Sequence, residues 1–179
     1  MIRRLFLAAA LALLSMAASA QSLTTAQLQT LKAAILAETD STFVALRAAG
    51  DETGMANWYN GASTFVVWRS SVTITETGSA FNGTEWAGLT SANHTRLQTV
   101  AQYMSTYRPA LADIRAMFND IWSGAGGTNT RAALLALWKR TATRVEKVFA
   151  TGTGTDAAPG TLVFEGAIRA QTISDALRS

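Results

Sequence analysis

"LADIRAMFNDIWSGAGGTNTRAALLALWKRTATRVEKVFA", Leu111–Ala150, decides the fold class. Its first part sets Leu111, Ile114, Met117, Phe118 and Ile121 at i, i+3, i+4 spacing, the apolar face of an amphipathic helix. Pro109 suits the first turn of that helix, where its missing N–H costs nothing. The Gly-rich run Ser123–Thr130 then breaks the chain, and Asn129 or Thr130 is placed to cap a second helix. This longest helix is predicted over Arg131–Ala150, with Leu134, Leu135, Trp138, Thr141, Val145 and Phe149 as its buried stripe.

The remaining sequence repeats this pattern in shorter pieces. Thr24–Gln27 forms a capping box, flanked by Leu23 and Leu28 as a hydrophobic staple, and starts a helix with Leu28, Leu31, Ile35 and Leu36 at helical spacing. Short helices are predicted over 41–49, ending at Gly50, and over 51–59, ending at Asn60-Gly61. A capped helix runs from Thr90 with Leu97, Val100, Ala101 and Met104 on one side, and a last one lies near Ile173–Leu177. The one extended stretch is "STFVVWRSSVTITETG", Ser63–Gly78, where Val72–Thr77 alternates as a half-buried strand does. It predicts a β-hairpin or an arm across the helices. Thr151–Gly160 reads as a flexible, hinge-like loop before a short strand, Thr161–Gly166. The expected fold is mainly α: five to six helices with a minor β-hairpin or extended arm.

Composition bounds the rest. The chain has 179 residues, 49% of them hydrophobic, enough for one domain with its own core. Charged residues are 15%, below the roughly 25% usual for soluble domains, as expected of a surface partly covered by a partner. Residues 1–20 have the three parts of a secretory signal: Arg3 and Arg4, an apolar run Leu5–Leu14, and Ala18-Ser19-Ala20 before Gln21. That run is too short for a stable membrane span, which needs about 20 residues. Without the two leader arginines the net charge of +3 falls to +1, so the basic balance does not mark a polyanion binder. The division expected is a leader over 1–20 and a single mostly helical domain over 21–179. The absence of cysteine excludes disulfides, thiolate metal sites and a Cys nucleophile.

No catalytic motif stands out. His94 lies beside no nucleophile elbow and reads as an ordinary helical or capping residue. Asp113 and Asp120 share one helix face about 10 Å apart, from the 1.5 Å rise per residue, and read as a solvated face. Neither Gly-rich loop has the Gly-Lys-Ser/Thr ending of a phosphate loop. Arg140, Arg144 and Lys147 fall at i, i+4, i+7 of the predicted long helix, a basic stripe facing solvent, a partner or a polyanion such as DNA. Of five tryptophans, Trp68 and Trp86 border the extended segment and are the candidate interface anchors. Asn82-Gly83-Thr84 and Asn93-His94-Thr95 match the glycosylation sequon. No catalytic, cofactor or metal residue is expected.

From Leu23 onward the chain resembles a set of tailed-phage and prophage proteins. The residues carrying this are "LTTAQLQTLKAAI", "STFVVWRSSV", "FNGTEWAGLT" and the run from Leu111 to Gly166. The resemblance implies a non-enzymatic virion or virion-assembly component acting through protein–protein contacts at the neck or tail. Its partners would be further copies of itself or other virion proteins, with Phe65–Thr77 and the C-terminal strand open to strand addition. Such particles assemble in the host cytoplasm, whereas a cleaved leader implies the alternative, a secreted periplasmic helical adaptor.

Overall fold

The computed structural model describes residues 22–179. In chain order the elements are α1 (Thr25–Ala37), α2 (Ser41–Ala49), α3 (Glu52–Asn60), β1 (Ala62–Trp68), β2 (Val72–Thr73), α4 (Ile74–Ser79), α5 (Gly83–Ala87), α6 (Ser91–Tyr103), β3 (Thr106–Tyr107), α7 (Ala112–Ile121), α8 (Thr128–Leu137), β4 (Lys139–Thr143), α9 (Arg144–Phe149) and α10 (Ala170–Arg178). The fold is mainly helical with a minor β element, as the periodicity predicts. Among the described residues there are ten helical segments rather than five or six: the seven helical stretches read in the sequence all form, the longest divides in two, and two short helices arise where strand or loop is predicted.

Two apolar clusters organise these elements. α1, α2, α3, α9 and α10 enclose Leu31, Ile35, Phe43, Met55, Tyr59, Val145, Phe149 and Ile173, joined by Phe164 and Ile168 from the C-terminal segment. α6, α7 and α8 enclose Leu97, Phe118, Ile121, Trp122, Leu134 and Trp138, with Val72 and Tyr107 from the β2–β3 pair. β1 and β4, antiparallel, lie between the helices of the two groups in the chain.

Local signals start most helices where expected. Thr24 and Gln27 form the capping box of α1, and Leu23 and Leu28 pack on the first cluster. Asp40 caps α2 through the Thr42 and Phe43 N–H groups, and Gly50 closes it at φ +66°, a left-handed conformation glycine adopts without strain. Thr90 caps α6. The last helix is longer than predicted, Ala170–Arg178. Pro109 lies ahead of α7 rather than in its first turn, buried, with its carbonyl accepting from Arg115.

Two larger departures share a cause. The predicted helix over Arg131–Ala150 stops at Leu137, passes through β4 and restarts at Arg144. The predicted strand Val72–Thr77 pairs only at Val72–Thr73 and then becomes α4. Each helix restarts on a Thr-x-x-Glu capping box, Thr143 with Glu146 and Thr73 with Glu76. Of the predicted stripe Leu134, Trp138, Val145 and Phe149 are buried, whereas Leu135, within α8, is 42% exposed and Thr141, now on β4, is exposed. Leu36, also expected on a buried face, is 59% exposed.

β1 makes no hairpin with β2. It pairs with β4 instead, Val66 opposite Thr141, Val67 opposite Arg140 and Trp68 opposite Lys139. Its other edge is taken by the Gly-rich loop: the Val66 N–H donates to Gly154 O at 2.8 Å and the Trp68 N–H to Gly160 O at 3.0 Å. That loop is therefore fastened rather than a hinge, and glycine is what lets it close. A Cβ at Gly154 or Gly160 would fall 2.1 or 2.5 Å from the Phe65 ring, and Gly154 has φ +65°. Thr161–Gly166 forms no strand beyond a single bridge from Thr161 to Thr151, because Phe164 turns into the first cluster. Val66–Trp68 accordingly offers no open edge for strand addition.

Candidate functional site

The predicted basic stripe is distributed over two elements, Arg140 on β4 and Arg144 and Lys147 on α9. Arg140 is fully engaged. Its guanidinium donates to both carboxylate oxygens of Glu146 at 2.7 and 2.8 Å and to Glu165 at 2.8 Å. Glu146, only 3% exposed, also accepts from the Thr143 and Gly166 N–H groups. Burial pushes the Glu146 carboxyl up, but Arg140 and these N–H donors outweigh it and hold it below the ordinary carboxylate value. The bond to Glu146, reinforced by Glu165, raises Arg140 despite its burial. Glu165 accepts in turn from the Ser70 hydroxyl, so the network ties β4, α9, the C-terminal segment and the β1–β2 turn together. Arg140 thus holds the fold through Glu146 and Glu165.

Arg144 and Lys147 line a groove of about 500 Å³ between α1, α3, β1 and α9. Its walls include Glu38, Asp40, Trp58, Ser63, Thr64 and Val148. Arg144 stacks over the Trp58 ring, 4.3 Å from its centroid, and donates to the Trp58 carbonyl at 2.9 Å. Trp58 is fixed behind by Phe43 and Tyr59, at ring distances of 4.7 and 5.1 Å. Burial, with the nearby Glu38 charge, pushes the Tyr59 hydroxyl well above its ordinary value, so it stays protonated across the physiological range. Glu38 accepts from the Thr39 and Asp40 N–H groups and closes the α1–α2 turn. Arg47 supports that turn from below, donating to the carbonyls of Ile35 and Leu36.

The two candidate anchor tryptophans are both half-buried against the second cluster. Trp68 carries the Arg115 guanidinium 4.3 Å above its ring. Trp86 stacks on Phe81 at 5.5 Å and meets His94 edge-on at 4.8 Å, which gives the single histidine a packing role. Asp113 and Asp120 share α7, where Asp120 pairs with Arg96 at 2.7 Å. Both sequon asparagines serve the fold: Asn82 caps α5, and Asn93 donates to Ile121 O at 3.0 Å.

Sequence reasoning missed the cap of α8. Neither Asn129 nor Thr130 caps it through its own side chain; their N–H groups donate to the Glu85 carboxylate, at 2.9 and 2.8 Å. Burial raises Glu85, but the bonds from Thr130 and Asn129 more than compensate and lower it overall. No local pattern marks a cap supplied from more than forty residues away.

Among the described residues no group of His, Cys, Asp and Glu could hold a metal ion, and no helix is long and apolar enough to cross a membrane. No family model, curated protein or solved structure matches the chain.

Proposed function

We propose that the chain is a non-enzymatic structural or assembly component of a tailed phage or prophage particle, acting at the neck or tail through protein–protein contacts. The sequence resemblance from Leu23 to Gly166 supports the setting. One structural observation favours contact over chemistry: the buried carboxylates Glu85 and Glu146 are both committed to fold-holding bonds, while Glu38, Asp40, Arg144 and Lys147 line an open groove. A surface of this kind recognises a partner by shape and charge. The test is mass spectrometry of purified particles from an induced host, with cross-linking to neighbouring proteins. A fixed copy number per particle, with a chain starting near Leu23, is the expected result. Absence from particles overturns the reading.

A second reading, a secreted periplasmic adaptor, draws on the signal-like sequence of residues 1–20, which ends in Ala18-Ser19-Ala20 before Gln21. The capping box of α1 starts at Thr24, so cleavage between Ala20 and Gln21 leaves every bond of that cap intact. An intact mass beginning at Gln21 in the periplasmic fraction would favour it.

A further inference from the structure

We infer that the groove between α1, α3, β1 and α9 binds a dipolar peptide segment of a partner protein, one carrying a basic and an acidic side chain a few residues apart. Arg144 and Lys147 come from α9, whereas Glu38 and Asp40 come from the α1–α2 turn. None of the ion pairs among the described residues joins these two sets. Opposite charges held apart across an open groove are complementary to a ligand whose own charges are separated.

The atoms needed are present. Glu38 takes both of its N–H donors on Oε1 and Asp40 takes both of its donors on Oδ1, so each carboxylate keeps a second oxygen outside those bonds. Arg144 directs Nη1 to the Trp58 carbonyl, and its Nη2 and Nε donate to no other described group. Lys147 is exposed and makes no ion pair among the described residues. Ala34, Trp58 and Val148 supply apolar surface between the charged walls. At about 500 Å³ the groove holds more than one side chain, within the roughly 300–1,000 Å³ usual for ligand sites. Nucleic acid fits poorly, because Glu38 and Asp40 would repel its continuous row of phosphates.

The inference rests on the proposed contact role for the source of the segment, yet its binding chemistry can be tested separately. Full-length protein is titrated at low salt with the capped tripeptide acetyl-Lys-Gly-Asp-amide, and with acetyl-Lys-Gly-Lys-amide and acetyl-Asp-Gly-Asp-amide as controls. Backbone NMR shifts locate the contact. Saturable binding of the mixed peptide at the groove is expected, about tenfold tighter than either control. Lys147→Glu should weaken it about fivefold or more, and adding Glu38→Lys, which leaves both walls without net charge, should weaken it further rather than restore it. The Lys147 side chain makes no ion pair among the described residues, and thermal unfolding of each variant verifies folding. No saturation, equal binding of the acidic control, or unchanged binding by Lys147→Glu would each overturn the inference. Peptide binding by a chain absent from particles would leave the groove standing and remove the virion setting.

Discussion

Replacing Arg140 with Met removes the cation that neutralises a buried carboxylate. Glu146 loses two charge-assisted bonds, at 2.7 and 2.8 Å, and its side chain is 4% exposed, so water cannot take their place. Breaking a buried pair from one side costs about 3–5 kcal/mol. The Thr143 and Gly166 N–H groups still reach Glu146, which places the expected loss near the lower end, about 3 kcal/mol. Glu165 also loses a partner, but at 43% exposure it adds less than about 1 kcal/mol. In a chain of this size about 3 kcal/mol corresponds to a fall in Tm of roughly 6–12 °C. Urea unfolding followed by circular dichroism measures it. The pH dependence is the sharper test. The Glu146 carboxyl sits lower in the fold than its ordinary value of 4.5, so its contribution is complete above that value and is lost as pH falls through the folded one. In Arg140→Met burial acts without the guanidinium and raises the folded value, so the deficit shrinks as pH drops and Glu146 protonates. Adding Glu146→Leu should recover about 2 kcal/mol of the single-variant loss. A loss under about 1 kcal/mol, or a deficit unchanged between neutral and acid pH, would refute the claim that this pair is a buried, coupled unit.

Gly127→Ala places a Cβ 2.1 Å from the Trp122 carbonyl oxygen, where backbone must move, and should cost about 3 kcal/mol in chemical denaturation. Gly50→Ala, also at a left-handed φ but with open space around it, should cost only about 1 kcal/mol by the same assay. Gly154→Ala should destabilise strongly, and trimming its obstacle with Phe65→Ala should make the double variant less costly than the sum, read from a thermal double-mutant cycle. Glu85→Ala removes the cap of α8 and should lower Tm more than Glu85→Gln, which keeps an acceptor oxygen. Because the Glu85 carboxyl is lowered in the fold, the gap between wild type and Glu85→Ala should narrow as pH falls below 4.5.

The site was legible only in fragments. Arg144 and Lys147 are within reach of a charge-pattern reading, but their grouping with Arg140 assumed one continuous helix. In the fold Arg140 turns to Glu146 and Glu165, and the other two line a groove whose opposite wall lies more than a hundred residues earlier, at Glu38 and Asp40. Nothing in either local sequence announces that meeting. The two interrupted elements were readable in principle: Thr73-x-x-Glu76 and Thr143-x-x-Glu146 are capping-box patterns like the one recognised at Thr24. They were masked because β-branched and apolar residues around them also satisfied strand and helix periods.

By itself the sequence determined the helical class, the starts of α1, α2 and α6, and most of the buried residues of the long stretch. Those outcomes rest on bonds within one turn and on the period of apolar side chains, both local. The tertiary structure alone decided that Lys139–Thr143 is a strand. A Thr-rich stretch gains more by pairing with Val66–Trp68 than by extending α8, and that partner is known only once the chain has folded back. The same holds for the cap of α8 on Glu85 and the Gly-rich loop wrapped on Phe65. Each is a contact between residues far apart in the chain, and its energy exists only when the core has brought them together.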